Sequence, residues 1–393
     1  MNTEKNVYAL CMEHPALREF LISHGFSPLR QDVAFQTMGK MISLRQALAT
    51  KGIDEEIFLS EYENYRAVAG SEEEADNAVD ASATRRYLAA GSLPCPVKLP
   101  LTDHLNAYNK VHHVHDIDFD FRSANLGLDF VTERLLSGKE AAYPDLISSA
   151  GYELIINSEL HSVFATHYTA PELPFNREMQ TKLPGLRDPK GLYRIIAVVP
   201  AVFIVNKRAL NGRQVPRSWE ELLSGDFRHS VAIPVSDLDM HNALVLTIYS
   251  RFGVQGLAAL KECFAKSLHP AQMVKGMQNQ APSVSIAPYF FASMIANDNQ
   301  ELVWPEEGAV ASPILMTVRR ESEAAIASVI DYLLSNEVNH ILSFNGKFPV
   351  TSPSAGPQLA PEQQLLFAGW DMLHEISREL PVIEKYFALN QKG

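Results

Sequence analysis

The chain has 393 residues, more than a single hydrophobic core usually holds, and this length predicts two or three compact units. Hydrophobic residues make up 46% and charged residues 20% of the chain, which is typical of a globular protein and excludes a disordered or fibrous one. The formal net charge of −12 argues against binding to nucleic acids or acidic membranes, because both need a basic surface.

Three further features of the sequence bear on location. The first thirty residues carry charged side chains throughout, so they contain no uninterrupted apolar segment of the kind found in signal peptides. The longest apolar run, 195–205, is interrupted by Pro200 and is well short of the roughly 20 residues that cross a bilayer. The three cysteines, Cys11, Cys95 and Cys263, indicate neither a disulfide framework nor a zinc site. Together these features predict a cytoplasmic protein without a membrane span, and the alternative is a periplasmic protein whose leader was omitted.

Residues 1–68 are predicted to form a small helical domain of about four short helices, because helix signals follow one another closely. Pro15 is suited to the first turn of a helix and Gly25 to its end. Ser43 and Gln46 have the spacing of a capping box, and Asp54 is suited to cap a last helix.

The sequences HPALREFLISHGF and MISLRQALATKGIDEEIFL in this part resemble a small uncharacterised bacterial domain often found beside redox and hybrid-cluster-type proteins. Many members of that family place a cysteine directly after the Gly-Phe turn. In this chain the turn continues as Ser27-Pro28-Leu29-Arg30, without a thiol. This difference favours a module that docks a partner over a redox or metal centre.

The segment 69–91 contains Glu72-Glu73-Glu74 and many alanines and serines but no strong apolar stripe, which predicts a solvated linker or an exposed helix. After it, apolar segments of strand and helix length alternate, the pattern of an α/β domain with a largely parallel sheet. The first strands are predicted at 93–99, 116–121 and 145–148, with a helix at 103–110.

Three segments resemble a known family: 324–349 (AAIASVIDYLLSNEVNHILSFNGKFP), 304–309 (WPEEGA) and 216–222 (PRSWEEL). They resemble the type II solute-binding protein of bacterial ABC importers, in its iron(III)/thiamine-like branch. The resemblance implies a two-lobed α/β fold that closes on a ligand about a hinge of two crossover strands.

On this resemblance the chain crosses between the lobes at 195–205 and returns at 309–315. A final helix over 362–380 is expected to pack on lobe one. The predicted division is a helical domain over 1–68, a linker over 69–91 and a solute-binding domain over 92–393, with lobe one at 92–199 and 309–393 and lobe two at 200–308.

Four loops are predicted to line the ligand site, because ligands of open α/β sheets bind beyond the carboxyl ends of the strands. Amides and hydroxyls in these loops would bind a small polar or anionic solute. For the two serines among them, a helix N-cap is an equal alternative. The predicted ligand-binding residues are Cys95, Ser148, Ser149, Asp239, His241, Asn242 and Tyr289.

Two groups of residues also have a spacing that permits metal binding. Asp237, Asp239 and His241 alternate, and in an extended loop they would lie on one side and collect a divalent ion. At a helix start, the same acids would instead cap the helix and match its dipole. The segment 112–115 contains three histidines, two of which would share one face of a strand. The structural interpretation is favoured for both groups.

Tyr289 stands where the ferric-binding branch of the resembled family usually places two tyrosines that ligate iron through their phenolates. Here the sequence is Tyr-Phe-Phe, which favours an aromatic wall for an organic ligand over a ferric site. No HExxH, GxGxxG or GxxxxGK[ST] motif is present, so zinc-protease, dinucleotide-binding and P-loop functions lack their basis.

The resemblance also leaves an enzymatic alternative, since this fold hosts a thiamine-degrading enzyme with a cleft cysteine, and Cys95 follows an apolar segment. A catalytic thiol needs a nearby base or cationic surroundings, and the sequence shows neither for Cys95. The sequence therefore predicts a ligand-binding protein without cofactor or catalysis. Its expected partner is an ABC permease or a cytoplasmic protein that docks residues 1–68. Iron or zinc binding is the alternative function.

Overall fold

The computed structural model describes residues 1–14, 16–23, 26, 29, 32–50, 55, 58–59, 62, 86–112, 117–124, 127–235, 237–275 and 281–389. The chain divides into two compact units, Met1–Thr84 and Arg85–Gly393. Each unit has its own hydrophobic core, and the two sets of buried residues share no member.

The first unit is helical in its described part. Asn6 caps the first helix by accepting a hydrogen bond from the amide of Ala9 at 2.8 Å. The capping box predicted at Ser43 and Gln46 is confirmed, because each side chain accepts from the other residue's amide at 3.2 Å. Pro15, Gly25 and Asp54, for which helix-end roles were predicted, lie outside the described residues. The helices are α1 (Val7–Glu13), α2 (Ala16–Ser23), α3 (Asp32–Met41) and α4 (Leu44–Thr50).

The second unit is built on one sheet, which has eleven strands in the part of the chain that is described. They are β1 (Tyr87–Leu93), β2 (Ile117–Ser123), β3 (Leu146–Ala150), β4 (Tyr168–Thr169), β5 (Arg194–Asn206), β6 (Val231–Ile233), β7 (Phe264–Ser267), β8 (Val284–Pro288), β9 (Gln300–Val303), β10 (Ala309–Arg319) and β11 (Leu365–Leu366). Their order is β2-β1-β3-β10-β5-β8-β6-β7, with β4 and β11 paired to β10 and β9 paired to β5.

Helices and turns connect these strands. Those of the second unit are α5 (Cys95–His112), α6 (Asp129–Leu136), α7 (Glu153–Ile156), α8 (His161–His167), α9 (Arg177–Lys182), α10 (Trp219–Leu222), α11 (Leu238–Cys263), α12 (Pro270–Lys275), α13 (Tyr289–Ala292), α14 (Ala327–Leu333), α15 (Asn336–His340), α16 (Trp370–His374) and α17 (Ile376–Ile383).

The long antiparallel strands β5 and β10 join the two halves of the sheet. The first half of β5 pairs with β10, from Arg194 opposite Met316 to Ala201 opposite Val310, and its second half pairs with β8 and β9. The second half of β10 pairs with β3. We call the half of the sheet that contains β1–β3 lobe one and the half that contains β6–β9 lobe two. Strands β5 and β10 cross between the two lobes. The predicted two-lobed α/β fold is confirmed.

The start of the sheet differs from the prediction. The strand expected at 93–99 is wrong, because β1 lies at Tyr87–Leu93 and Pro94 and Pro96 flank the first residue of α5. Proline fixes φ near about −65° and has no amide proton, so it suits the first turn of a helix and not a strand interior. β1 thus begins inside the segment 69–91, for which a linker was predicted.

Helix α11 is bent at Gly253, where φ is 63° and ψ is −159°. Gly253 thus kinks the helix, which continues after it to Cys263. Among the described residues, Asp239–Cys263 is the one helix long and apolar enough to cross a membrane, and a buried core helix passes the same test. Half of its most apolar window is buried inside the protein, as in a core helix.

The C-terminal part differs from the prediction at its last helices. Before them, Ser335 caps α15 by accepting from the amide of Val338 at 3.4 Å. The single final helix over 362–380 is wrong. Two helices, α16 and α17, replace it and meet at Glu375, whose φ is −108° and ψ is 16°.

Candidate functional site

Two strands end at the middle of the crossover strands, and the helix that follows a third strand begins nearby. β3 ends at Ala150, opposite Ile314 of β10, and β8 ends at Pro288, opposite Ala201 of β5. β6 ends at Ile233, from which the chain leads into α11. Because the carboxyl ends of strands and the first turns of helices present unpaired amides, this is the region where the sheet can hold a small molecule.

The lobes touch where β3 meets the start of α11. Gly151 follows β3 with a φ of 75°, and a Cβ at this position would lie 2.9 Å from the Cα of Asp239. Ser312 on β10 donates a hydrogen bond to the backbone oxygen of Asp239 at 3.3 Å. Glycine tolerates both the left-handed conformation and the close approach. Gly151 therefore allows the start of α11 to pack directly against lobe one.

Three carboxyl groups gather at this contact, from Asp237 and Asp239 on lobe two and Glu153 on lobe one. Asp237 caps α11 by accepting from the amide of Met240 at 3.3 Å, and Glu153 accepts from the amide of Leu128 at 3.0 Å. Burial raises the pKa of Asp239 well above its usual range, and the neighbouring Asp237 and Glu153 raise it further. Burial also raises the pKa of Asp237. Protonated carboxyl groups donate hydrogen bonds, so this contact can offer donors to a ligand oxygen.

His241 and Asn242 lie in the first turns of α11 and are both buried, each 1% exposed. The Nε2 of His241 donates to the carbonyl oxygen of Ala388 at 3.1 Å, and its ring meets that of Phe387 edge-on at 6.1 Å. Burial lowers the pKa of His241 more than the Ala388 carbonyl raises it, so the ring is neutral at pH 7. Its Nδ1 has no hydrogen-bond partner in the described part of the chain.

Ser148 and Ser149 lie inside β3, which runs from Leu146 to Ala150. The predicted N-cap role is wrong, because α7 begins at Glu153 and has no side-chain cap. The hydroxyl of Ser149 donates to the carbonyl oxygen of Ala150 at 3.2 Å. The Ser148 hydroxyl is buried without a partner among the described residues, and such a group is costly unless water or a ligand satisfies it.

Aromatic side chains surround the end of β8. Tyr289 is the first residue of α13, and its half-buried ring meets Trp304 edge-on at 5.4 Å. Phe290 and Phe291, which follow it, meet each other at 5.1 Å. These rings lie where the sequence predicted an aromatic wall, and Trp304 adds to them.

Cys95 lies at the outer strands of lobe one and is exposed. It is the first residue of α5, and its Sγ is 3.2 Å from the Oγ of Ser123 at the end of β2. A hydroxyl is not a base that would activate a thiol. The other two cysteines are buried, which raises the pKa of Cys11 to about 12 and that of Cys263 to about 11.

The geometry bears on both metal hypotheses. Asp237, Asp239 and His241 do not form an extended loop, because Asp237 is the cap of a helix that contains the other two. Within the described ranges no three His, Cys, Asp or Glu side chains are arranged to hold a metal ion. The histidines of 112–115 have no side chain among those that the structure describes.

The sequence reasoning missed Glu153, Ser312 and Trp304. Ser312 is a polar residue in the otherwise apolar segment AVASPIL, which is a usable signal for a side chain with a specific partner. Glu153 follows the Gly151 turn by two residues, but its proximity to Asp239 depends on a contact between segments far apart in the chain.

Comparisons with known proteins agree with this arrangement. Residues 141–375 match the family described as bacterial extracellular solute-binding protein, and residues 1–59 match a domain of unknown function (DUF1858). No curated protein matches the chain at a significant level.

Several solved structures share the fold. The substrate binding protein of the ABC transporter from Agrobacterium tumefaciens has a TM-score of 0.54 at 15% identity, over 79% of this chain and 96% of that one. The ferric binding protein from Campylobacter jejuni has a TM-score of 0.56 at 10% identity, over 77% and 99%. Iron-bound HitA from Pseudomonas aeruginosa has a TM-score of 0.56 at 12% identity, over 78% and 100%.

The cytoplasmic location predicted from the sequence is wrong, because the matched family is one of extracellular proteins. The prediction relied partly on the three unpaired cysteines. A protein outside the cytoplasm can also have few cysteines when a large hydrophobic core stabilises it, so cysteine usage does not discriminate here.

Proposed function

The chain belongs to the family of bacterial extracellular solute-binding proteins, and we propose that it closes its two lobes on one small polar or anionic solute. The supporting observation is that β3 and β8 both end at the middle of β5 and β10, where Gly151 and Asp239 bring the lobes into contact. Bending of the two crossover strands would separate the lobes and admit the solute.

The chemistry of the site supports this class of solute. A protonated carboxyl group at Asp239, whose pKa is raised well above its usual range, would donate a hydrogen bond to an oxygen atom of the solute without repelling a negative charge. The unpaired hydroxyl of Ser148 supplies a further polar group. Tyr289 and Trp304 would cover an apolar face of the solute.

Native mass spectrometry of freshly purified protein tests this proposal. We expect the intact protein to carry one retained small molecule. Tyr289→Ala and Asp239→Ala should retain less of it, whereas the control Asp298→Ala, at an exposed position, should retain as much as the parent. The proposal fails if no solute is retained and no polar solute from a broad panel raises the temperature of unfolding.

We further propose that the solute leaves unchanged, because the matched family and the solved structures that share the fold are described as binding proteins. Incubation with each solute that binds, followed by mass spectrometry of the solute, should return the original mass. A product that forms with the parent protein and not with Cys95→Ser would contradict this.

Iron binding is the second candidate function. It is favoured by the phenol of Tyr289 at the carboxyl end of β8 and by the fold that the chain shares with a ferric binding protein and with iron-bound HitA. Titration with Fe(III) in the presence of a small anion should then produce a visible phenolate-to-iron absorption band. Tyr289→Phe should abolish it, and an absent band in the parent protein would remove this candidate.

We propose two protein partners. The lobes would contact an ABC permease, and residues 1–68 would dock a second protein. Deletion of residues 1–68 should abolish the second association and leave solute retention unchanged. If every association survives the deletion, the docking role is wrong.

A further inference from the structure

The C-terminal residues 370–389 contact both lobes. Their first part, α16, is fixed to the segment 170–193, which belongs with lobe one because β4 pairs with the same end of β10 as β3. The indole Nε1 of Trp370 donates to the carbonyl oxygen of Gly185 at 2.6 Å. The Nε2 of His374 donates to the buried carboxylate of Asp188 at 2.7 Å.

The second part is attached to α11 of lobe two, while α17 also contacts α7 of lobe one. The hydroxyl of Tyr249 donates to Glu379 at 2.5 Å, and the Nζ of Lys261 donates to the carbonyl oxygen of Lys385 at 3.3 Å. His241 binds the carbonyl of Ala388 at 3.1 Å. The apolar side chains of this part are also buried, namely Ile376, Ile383, Phe387 and Leu389.

One exposed residue, Glu375, joins the two parts. Its backbone is not helical, so α16 and α17 are separate bodies with no slack between them. The family match ends at residue 375, so the part attached to lobe two lies beyond it. After β5 and β10, this is a third covalent connection between the lobes.

We propose that residues 370–389 are a tether that limits how far the two lobes separate. Opening about β5 and β10 moves α11 away from lobe one, and the tether then has to bend at Glu375 or lose its contacts with α11. Since those contacts include buried apolar side chains and three hydrogen bonds, the tether favours the closed arrangement even without solute. The length of the connection between α16 and α17 at Glu375 sets how far the two lobes can separate.

Distance measurements between spin labels on the two lobes test the tether in the full chain. Labels at Glu133→Cys in lobe one and Asp298→Cys in lobe two occupy exposed positions, in a Cys95→Ser background that leaves only buried cysteines. Insertion of Gly-Gly-Gly after Glu375 gives the tether slack. The double variant Tyr249→Phe, Lys261→Met removes two of its hydrogen bonds. The control Glu262→Ala breaks a neighbouring exposed ion pair with Arg228 on the same helix.

We expect the distance distribution to shift to longer values in the insertion variant or the double variant and to match the parent in the control. Circular dichroism verifies that each variant is folded, and if the insertion prevents folding, the double variant decides. Parental distances in every folded tether variant would overturn the proposal. Any retained solute is first removed by unfolding, dialysis and refolding, so this result is independent of whether solute binding is found.

Discussion

Gly151 is the residue on which the contact between the lobes depends most directly. We expect Gly151→Ala to lower the free energy of unfolding by roughly 2–4 kcal/mol, from the left-handed backbone and the overpacking together. The added Cβ would lie 2.9 Å from the Cα of Asp239, so one of the two backbones has to shift. Equilibrium denaturation in guanidinium chloride measures the effect.

Gly138→Ala is the matched control for this substitution. Gly138 has a similar φ of 67°, but a Cβ there meets nothing within 4 Å. Gly138→Ala should therefore lower the free energy of unfolding by only about 1–2 kcal/mol, which is the contribution of the left-handed backbone alone. Equal losses in the two variants would mean that the start of α11 does not pack against Gly151 in solution.

Asp239 predicts a dependence of stability on pH. Its pKa is raised in the folded state by burial and by Asp237 and Glu153, so the folded protein binds the proton more tightly than the unfolded chain. Stability is therefore highest below the unfolded pKa of about 3.9 and falls as the pH rises through the folded pKa. Asp239→Asn cannot ionise and should remove this loss.

Unfolding experiments at pH 4 and pH 8 measure the difference. Asp239→Asn should match the parent near pH 4 and exceed it at pH 8 by about 1.4 kcal/mol for each unit by which the pKa is raised. Asp298→Asn, at an exposed position, should show no such change between the two pH values. A constant difference between Asp239→Asn and the parent would contradict the prediction.

Single residues were predictable where the cause is local. The cap at Asp237 can be predicted because Met240 follows it by three residues in the sequence. The aromatic residues that begin at Tyr289 are contiguous in the sequence. Ser148 and Ser149 were placed wrongly because the end of β3 was set two residues too early, which moved both from a strand to a helix start. The environment of His241 depends on residues 387–388, which no local pattern connects to it.

The attachment of α16 depends on one buried carboxylate. Burial would raise the pKa of Asp188, but hydrogen bonds from His374 and three backbone amides outweigh it and lower the pKa. Such a group stabilises the fold above its unfolded pKa, and this contribution is lost as the pH falls through the folded pKa. The three amides are those of Lys190, Leu192 and Tyr193.

We expect Asp188→Ala to lower the free energy of unfolding at pH 7 by roughly 3 kcal/mol, since it leaves four donors unpaired. The loss should shrink as the pH falls below about 4, where the parent also loses the charge. Asp371→Ala changes an exposed carboxylate on the same helix and should have little effect at either pH. A loss that is independent of pH would show that the charge of Asp188 is not the cause.

Elements with strong local signals were also predictable. The capping box of Ser43 and Gln46 and the apolar crossover strands follow from residue types at fixed spacing. The first strand was misplaced because the apolar segment continues through Pro94 and Pro96, where proline chemistry should have outweighed hydrophobicity. The final helix was predicted as one because its apolar residues keep helical spacing across the break at Glu375.

At the scale of the whole molecule, the sequence supported two lobes and a separate helical domain, because the segments that resemble the family lie in both lobes. It did not indicate the third connection between the lobes. That connection depends on α17 packing on α11, more than 100 residues away, and the burial of α17 is compatible with either lobe.

The last prediction concerns the two units as folding bodies. Because the buried residues of 1–84 and 85–393 form separate cores, each core can be lost without exposing the other. Scanning calorimetry of the full chain should therefore show two transitions. The fragment 85–393 should unfold within about 1 °C of the larger transition, a shift below the roughly 1.5 °C that 1 kcal/mol produces in a domain of this size. Gly151→Ala should lower that transition equally in the fragment and in the full chain. A larger fall in the fragment than in the full chain would show that residues 1–84 stabilise the two lobes.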